Sequence, residues 1–282
     1  MPIQAVQHIR RMRGGAQSHL MRCADGHYYV VKFQNNPQHT KILVNDWIGT
    51  RLAEMIGLPV PVVDVIHVNP WLIENSPDLR IELCGRKTMV TAGPSFGSRF
   101  VVSPHEGEVH DYLPESMTGR VRNLSQFAGI LALDKWTCNA DGRQAAFWKQ
   151  ARERKFTASF IDQGYCFNAA EWSFPDAPLR GVFGRNDVYA GVTGWNSFEP
   201  WLSRIESFPE HSLRSMVDQI PSEWYGSALD ELDRLLSRLL ERRSLVSKLV
   251  LSFKNSSRNP FPNWRVASGS ACFAGHHRPI HV

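Results

Sequence analysis

Two different hydrophobic patterns divide this chain and limit the folds that it can adopt. Residues 1–103 contain short runs of β-branched and aromatic residues, separated by turns with Gly and Pro, and one helix-like stretch. From residue 121 onwards the apolar residues recur mainly at helical spacing. The patterns predict an α+β protein, either one bilobal domain or two small ones, with a β-rich lobe over 1–103, a mainly helical lobe over 104–255 and an irregular tail over 256–282.

The local signals within each lobe place the individual elements. A twisted hairpin is predicted over residues 1–35, because Asp25-Gly26 is a strong turn signal and glycines also mark an earlier turn. Ser222 is a plausible N-cap for a late helix. The remaining predictions are strands at 60–68, 80–84, 87–91 and 156–160, helices at 40–56, at 121–134 and from Ile220 onwards, loops at 91–98 and 168–212, and no regular element at 104–119.

The composition narrows the classes of function. A formal charge of +5 permits anion binding, but no long basic run indicates a nucleic-acid surface. Five cysteines without a CxxC pair disfavour a zinc site or a disulfide framework, and His276-His277 has no partner cluster for a metal. There is no signal-peptide core, and no apolar run approaches the roughly 20 residues that span a bilayer. We therefore expect a cytoplasmic protein that does not bind membranes.

Two carboxylates follow regular elements in the second half of the chain. Asp141 lies in the polar loop Asn139-Ala-Asp-Gly-Arg-Gln144, after a helix-like run, and Asp162 follows an apolar strand in Ile161-Asp-Gln-Gly164. Metal-assisted phosphoryl transfer needs one acid that orients or deprotonates the attacking hydroxyl and another that holds Mg²⁺. Asp-Gly and Asp-Xaa-Gly are also ordinary turn sequences, so two surface turns are the alternative.

A glycine-containing turn and a strand lysine lie upstream of these acids. The turn Gly14-Gly-Ala-Gln-Ser18 can bring backbone N–H groups close to a phosphate, because glycine has no side chain. Lys32 can reach the same phosphates, and Asn45, Asp46 and Glu54 of the predicted helix are candidates to pair with it. The alternatives are an exposed strand lysine and a solvated helix face.

The order of these pieces favours a kinase. Asp141 follows Lys32 by 109 residues, and Asp162 follows Asp141 by 21, which suits a β-rich lobe that clamps nucleotide against a helical lobe. Over roughly residues 5–250 the sequence resembles the HipA-like kinases, which are related to protein and phosphatidylinositol kinases. The motifs that carry the resemblance are Gly14-Gly-Ala-Gln-Ser18, Val30-Val-Lys-Phe33, Asn45-Asp46, Arg51-Leu-Ala53, Gly57-Leu-Pro-Val-Pro61, Asn139-Ala-Asp-Gly-Arg-Gln144 and Ile161-Asp-Gln-Gly164.

The resemblance implies a role for each matching nucleotide-binding residue. Lys32 would hold the α- and β-phosphates of ATP and contribute to catalysis. Asp46 would take the position of the helix acid, although it is shorter than the glutamate usual there. The cover over the phosphates would come from Gly14, Gly15, Ala16, Gln17 and Ser18.

The resemblance also implies the catalytic acid and the metal ligands. Asp141 would be the acid of the catalytic loop, and Asp162 would bind Mg²⁺ at the DFG-like position. The loop lacks the His that usually accompanies the acid, and Ala146 stands where a metal-binding Asn is usual. Gln144, or else Asn139, would then supply the missing oxygen ligand.

The expected function is therefore an ATP- and Mg²⁺-dependent kinase that transfers the γ-phosphoryl group to a hydroxyl. The favoured acceptor is Ser or Thr of a protein, including this chain itself, and an antitoxin-like protein is a candidate partner. A lipid or small-molecule acceptor stays open, as does a nucleotide-binding pseudokinase, which Ala146 would explain. Binding to nucleic acid is a weaker alternative that only the positive charge supports.

Overall fold

The first half of the chain closes five strands into a barrel. The computed structural model describes residues 2–104 and 106–265, so His276-His277 lies outside the described residues. Its strands are β1 (Ile3–Arg11), β2 (His19–Cys23), β3 (Tyr28–Lys32), β4 (Val63–Val68) and β7 (Gly93–Arg99). The barrel order is β1-β2-β3-β7-β4, and neighbouring strands are antiparallel except β1 and β4, which are parallel.

Three further elements and one long helix complete this lobe. A short helix, α2 (Pro70–Glu74), and a two-stranded ribbon, β5 (Arg80–Leu83) with β6 (Arg86–Met89), pack apolar residues on the barrel interior. The long helix α1 (Ile42–Met55) joins a different core, shared with the second lobe. Trp47 of α1 donates from Nε1 to the Met216 carbonyl at 3.1 Å, so the helix is tied to both lobes.

The second lobe combines helices with a small antiparallel sheet. The sheet order is β10-β9-β8, with β8 (Gly107–His110), β9 (Gln144–Gln150) and β10 (Thr157–Ile161). Around it lie α3 (Gln126–Thr137), α4 (Trp201–Glu206), α5 (Glu210–Val217), α6 (Leu229–Arg242) and α7 (Val246–Lys254). Helix α3 is buried on all sides and ends at Cys138, which has φ 50° and ψ 51°. The polar loop begins at that left-handed residue.

Several predicted elements differ from the structure. Residues 91–98 form most of β7 rather than a loop, because neighbouring strands on both sides satisfy the backbone of this Gly- and Ser-rich segment. The stretch 104–119 contains β8, and the polar loop ends where β9 begins, which was not predicted. The long helix predicted from Ile220 onwards is present as α6, but it begins only at Leu229. Ser222 starts a single 3-10 turn, Ser222–Trp224, and makes no side-chain cap. The division of the chain at residue 103 stays a prediction.

Over residues 2–104 and 106–265, no helix has the length and hydrophobicity that crossing a bilayer requires.

Candidate active site

A cavity of about 620 Å³ lies between the barrel and the second lobe. It brings together most of the residues that the sequence singled out, from the glycine turn through the lysine to the two acids. The predicted site residues on its wall are Gly14, Gly15, Ala16, Ser18, Lys32, Asp46, Asp141, Gln144 and Asp162. Gln17 and Asn139 are not on the wall.

Lys32, the last residue of β3, joins two carboxylates from different parts of the chain. Its Nζ lies 2.7 Å from Asp46 Oδ2 and 2.9 Å from Asp162 Oδ1. Asp46 therefore reaches the lysine directly despite its short side chain. Glu54 faces solvent and pairs with Arg51 instead. The structure thus selects Asp46 from the three helix residues that the sequence left open.

Burial and charge set the ionisation of this triad. Burial lowers the pKa of Lys32, but Asp162 and Asp46 more than offset it, so the pKa is raised overall. Burial raises the pKa of Asp162, but Lys32 reverses the effect and the pKa is lowered. The Asp46 side chain is only 2% exposed, against 20% for Asp162, and burial raises the pKa of Asp46 to about 6 in spite of Lys32. At neutral pH the cavity therefore presents an ionised Asp162 next to a charged lysine.

The raised pKa of Asp46 predicts that its contribution to the free energy of unfolding changes with pH. Because the pKa is about 6 in the fold and 3.8 ordinarily, folding takes up a proton in this window. The stabilisation is complete below pH 3.8 and is lost as the pH rises through about 6. Urea unfolding from pH 4 to 7 should show the protein losing stability relative to Asp46→Asn. The exposed Glu54→Gln variant is the control and should parallel the parent; parallel curves for Asp46→Asn would contradict the shifted pKa.

The glycine turn is built as a tight loop pinned from outside the cavity. Gly14 has φ 112° and Gln17 has φ 46°, and the Gln17 backbone N–H donates to the Gly14 carbonyl. The Gln17 side chain donates to the Glu82 carbonyl at 3.0 Å and accepts from the Glu82 N–H at 2.7 Å. A Cβ on Gly15 would lie 3.0 Å from Gln38 Nε2, so this glycine permits close packing of the loop. Gln17 thus shapes the loop through β5.

Asp141 projects from a loop that Asn139 holds in place. Asn139 is 1% exposed, and its Nδ2 donates to Asp134 Oδ1 at 3.0 Å. Its Oδ1 accepts the Asp141 backbone N–H at 3.1 Å. Asp141 itself accepts the Gly142 N–H at 2.7 Å and is exposed to the cavity. Both functional ends of Asn139 are therefore engaged within the protein.

Gln144, the first residue of β9, lies directly against Asp162. Its Nε2 donates to Asp162 Oδ2 at 3.1 Å, while Lys32 holds the other carboxylate oxygen. Ala146 lies two residues further along the same strand, where its buried, apolar side chain is part of the cavity wall. Asp162, Asp141 and Gln144 give a set of oxygen donors, which suits a hard cation such as Mg²⁺. Among the described residues, this site included, no three His, Cys, Asp or Glu side chains group closely enough to hold a metal ion by themselves.

A buried ion pair beneath the loop was missed by the sequence analysis. Arg143 bonds both carboxylate oxygens of Asp134, with Nε 2.9 Å from Oδ2. The same guanidinium donates to the Ile161 carbonyl and to Gln163 Oε1, each at 2.8 Å. The sequence did contain one signal of this pair, because Asp134 is an acid within an otherwise apolar helical stretch and therefore needs a buried partner. Arg143 therefore links the segment of Asp141 to the segment of Asp162.

Comparison with solved structures identifies the fold. The Helicobacter pylori proinflammatory kinase CtkA superposes with a TM-score of 0.55 at 12% identity, covering 91% of this chain and 100% of that one. The Golgi casein kinase with Mn/ADP bound gives 0.52 at 10%, covering 91% and 74%. Shewanella oneidensis MR-1 HipA, solved with HipB and operator DNA, gives 0.50 at 11%, covering 89% and 68%. These likenesses confirm the predicted bilobal kinase-like fold.

Sequence comparison identifies the family. No curated protein sequence matches the chain. The family model described as HipA-like kinase matches residues 5–248, close to the range that the motifs indicated. The match spans most of the 282 residues, and it includes every element that lines the cavity. The chain therefore belongs to the HipA-like kinases, and it is a kinase enzyme.

Proposed function

We propose that this kinase uses ATP and Mg²⁺ to phosphorylate Ser or Thr hydroxyls of a protein, its own chain included. The observation that carries the proposal is the contact of one lysine with Asp46 and Asp162, on a cavity wall that also presents Asp141 and the glycine turn. These are the parts that phosphoryl transfer requires, because positioning and charge stabilisation supply most of its catalysis.

The nucleotide would lie along the cavity with its base between apolar walls. Val30 and Phe96 come from the barrel side, and Ala146 and Phe160 from the second lobe. Lys32 would bind the α- and β-phosphates, and residues 14–18 would cover them with backbone groups. Asp46 would fix the reach of Lys32, as the direct ion pair in the structure supports.

Asp162 and Gln144 would hold the metal ion. The chemistry that the ion would supply there is positive charge, which neutralises negative charge developing during transfer. A Golgi casein kinase of similar fold was solved with Mn/ADP, which supports a divalent metal at this type of site. Between the two candidates for the extra oxygen, Gln144 is favoured, since its amide touches Asp162 whereas Asn139 is buried and occupied. Asp141 would orient the acceptor hydroxyl and accept its proton.

The proposal is tested by incubating the full chain with γ-labelled ATP and MgCl₂. Acceptors are the chain itself, a Ser/Thr-rich protein and phosphatidylinositol vesicles, and EDTA is added to parallel reactions. We expect EDTA-sensitive label on Ser or Thr. Nucleotide-dependent thermal stabilisation without any transfer would instead indicate a pseudokinase, and label only in the vesicles would indicate a lipid kinase.

The same assay examines the metal ligand. Gln144→Ala removes an amide adjacent to Asp162 at an exposed position, so the fold should tolerate it. We expect the MgCl₂ concentration for half-maximal transfer to rise about 10-fold. Asn139 is too buried for an equivalent test. An unchanged metal requirement in Gln144→Ala would remove Gln144 from the proposed site.

A further inference from the structure

Asn45, next to Asp46 on α1, makes an unusually complete set of hydrogen bonds. It is fully buried and does not line the cavity. Its Nδ2 lies within hydrogen-bond distance of three carbonyls: Gly164 at 2.9 Å, Cys166 at 3.0 Å and Ala169 at 2.9 Å. Its Oδ1 accepts the indole N–H of Trp172 at 2.8 Å. One side chain of α1 thus holds the whole segment 164–172, which follows Asp162.

The segment that Asn45 holds is strained. Four of its residues, Phe167, Asn168, Ala169 and Trp172, and the preceding Asp162 have positive φ, between 46° and 61°. Non-glycine residues are uncommon in this region and persist there only where surrounding contacts enforce them. The carbonyls of the segment have their bonding partner in Asn45 only while the backbone keeps this shape.

The segment and α1 also approach each other at two glycines. A Cβ on Gly164 would lie 2.5 Å from Ile42 Cγ1, and one on Gly49 would lie 2.7 Å from Gln163 Cβ. Between them, the Gln163 backbone N–H donates to Asp46 Oδ1 at 2.9 Å. The backbone on the C-terminal side of Asp162 is therefore fixed to the helix over several residues.

We propose that Asn45 is a positioning residue for the metal ligand Asp162. Asp46 holds Lys32 and the backbone N–H of Gln163, and Asn45 holds the backbone carbonyls of segment 164–172. Together they hold Asp162 at φ 61° with its carboxylate against Lys32 and Gln144. Without Asn45 the segment relaxes toward ordinary backbone angles, and Asp162 loses its fixed orientation. The inference rests on the proposed metal site at Asp162.

The test uses Mn²⁺ titration of thermal stability at a fixed ADP concentration, with unfolding in urea measured in parallel. Asn45→Ser removes the amide, and Trp172→Phe removes the indole donor of the same network together with part of the ring but keeps the Asn45 amide. We expect both variants to lose stability. Asn45→Ser alone should raise the Mn²⁺ concentration for the half-maximal shift about 10-fold. Binding of ADP without metal should change less than about 2-fold in either variant, since Lys32 keeps its contact with Asp46.

Three results would overturn the inference. Equal Mn²⁺ requirements in Asn45→Ser and the parent protein, or equal increases in Asn45→Ser and Trp172→Phe, would show that Asn45 only supports the fold. If the parent shows no Mn²⁺-dependent shift at all, the proposed metal site fails and takes the inference with it. Should Asn45→Ser not fold, Asn45→Leu replaces it, because leucine branches at the same carbon, has no donor and adds no buried charge.

Discussion

Asp162→Asn is expected to lower the rate of phosphoryl transfer by about 10²- to 10³-fold, the effect of losing several kcal/mol of metal-based charge stabilisation. The asparagine has the same shape, and its Oδ1 can still accept from Lys32, so the fold should persist. The decisive loss is the negative charge that attracts the cation. Initial rates with γ-labelled ATP at saturating MgCl₂, together with thermal unfolding, measure both effects.

Two further variants distinguish loss of the metal ligand from loss of the proton acceptor and from a general effect of removing a carboxylate. Asp141→Asn removes the proposed proton acceptor and should lower kcat by about 10²- to 10⁴-fold while Mn²⁺ binding is retained. Asp218→Asn changes an exposed acid at the end of α5 and should transfer at the parental rate. Transfer by Asp162→Asn at the rate of Asp218→Asn would show that the metal lies elsewhere.

Asp134→Ala is expected to remove about 3–5 kcal/mol from the free energy of unfolding, since it leaves the buried Arg143 guanidinium without a counter-charge. Burial lowers the pKa of Arg143, but Asp134 more than offsets that effect and the pKa is raised overall, so this carboxylate is the counter-charge of a permanently charged, buried guanidinium. Both side chains are at most 1% exposed, which excludes rescue by solvent. Denaturation in urea, followed by circular dichroism, gives the difference.

The double variant Asp134→Leu with Arg143→Met separates stability from positioning. Replacing both members of a buried pair by apolar residues costs far less than breaking it, so the double variant should be more stable than Asp134→Ala. It should still transfer phosphate poorly, because the bonds from Arg143 to Ile161 and Gln163 are gone. A double variant no more stable than the single one would contradict the ion-pair argument.

Residues with short-range signals were the ones that sequence could assign to a site. Lys32, Asp141 and Asp162 each follow or end a recognisable element, so their order favoured the layout of a kinase. Asn45 and Arg143 lie in the quoted motifs, but their contacts were not predicted. The carbonyls that Asn45 bonds lie 119 or more residues away, and Arg143 bonds groups on two separate segments. Gln17 matched a motif, yet its side chain turns toward Glu82, a contact that depends on where β5 folds back.

The fold shows the same division between local pattern and tertiary contact. Helix α1 and the hairpins of β1 to β3 have strong periodicity or turn residues, and they were predicted to within a few positions. Strand β7 was not, because its glycines and serines resemble a loop. A Cβ on Gly97 would lie 2.2 Å from Ile66 Cγ1, so glycine is required there by the closure of the barrel. Only the neighbouring strand supplies that reason.

Helix α1 limits the ways in which this enzyme can be controlled. Because it is anchored through Trp47 to the second lobe and through Asp46 to the barrel lysine, it cannot swing outward without breaking buried contacts. We therefore expect this arrangement of α1 to be the resting one, so that little affinity for nucleotide is lost to an inactive population. Inhibition by displacing this helix would require breaking these buried contacts. A regulator that blocks the cleft entrance would not need to break them.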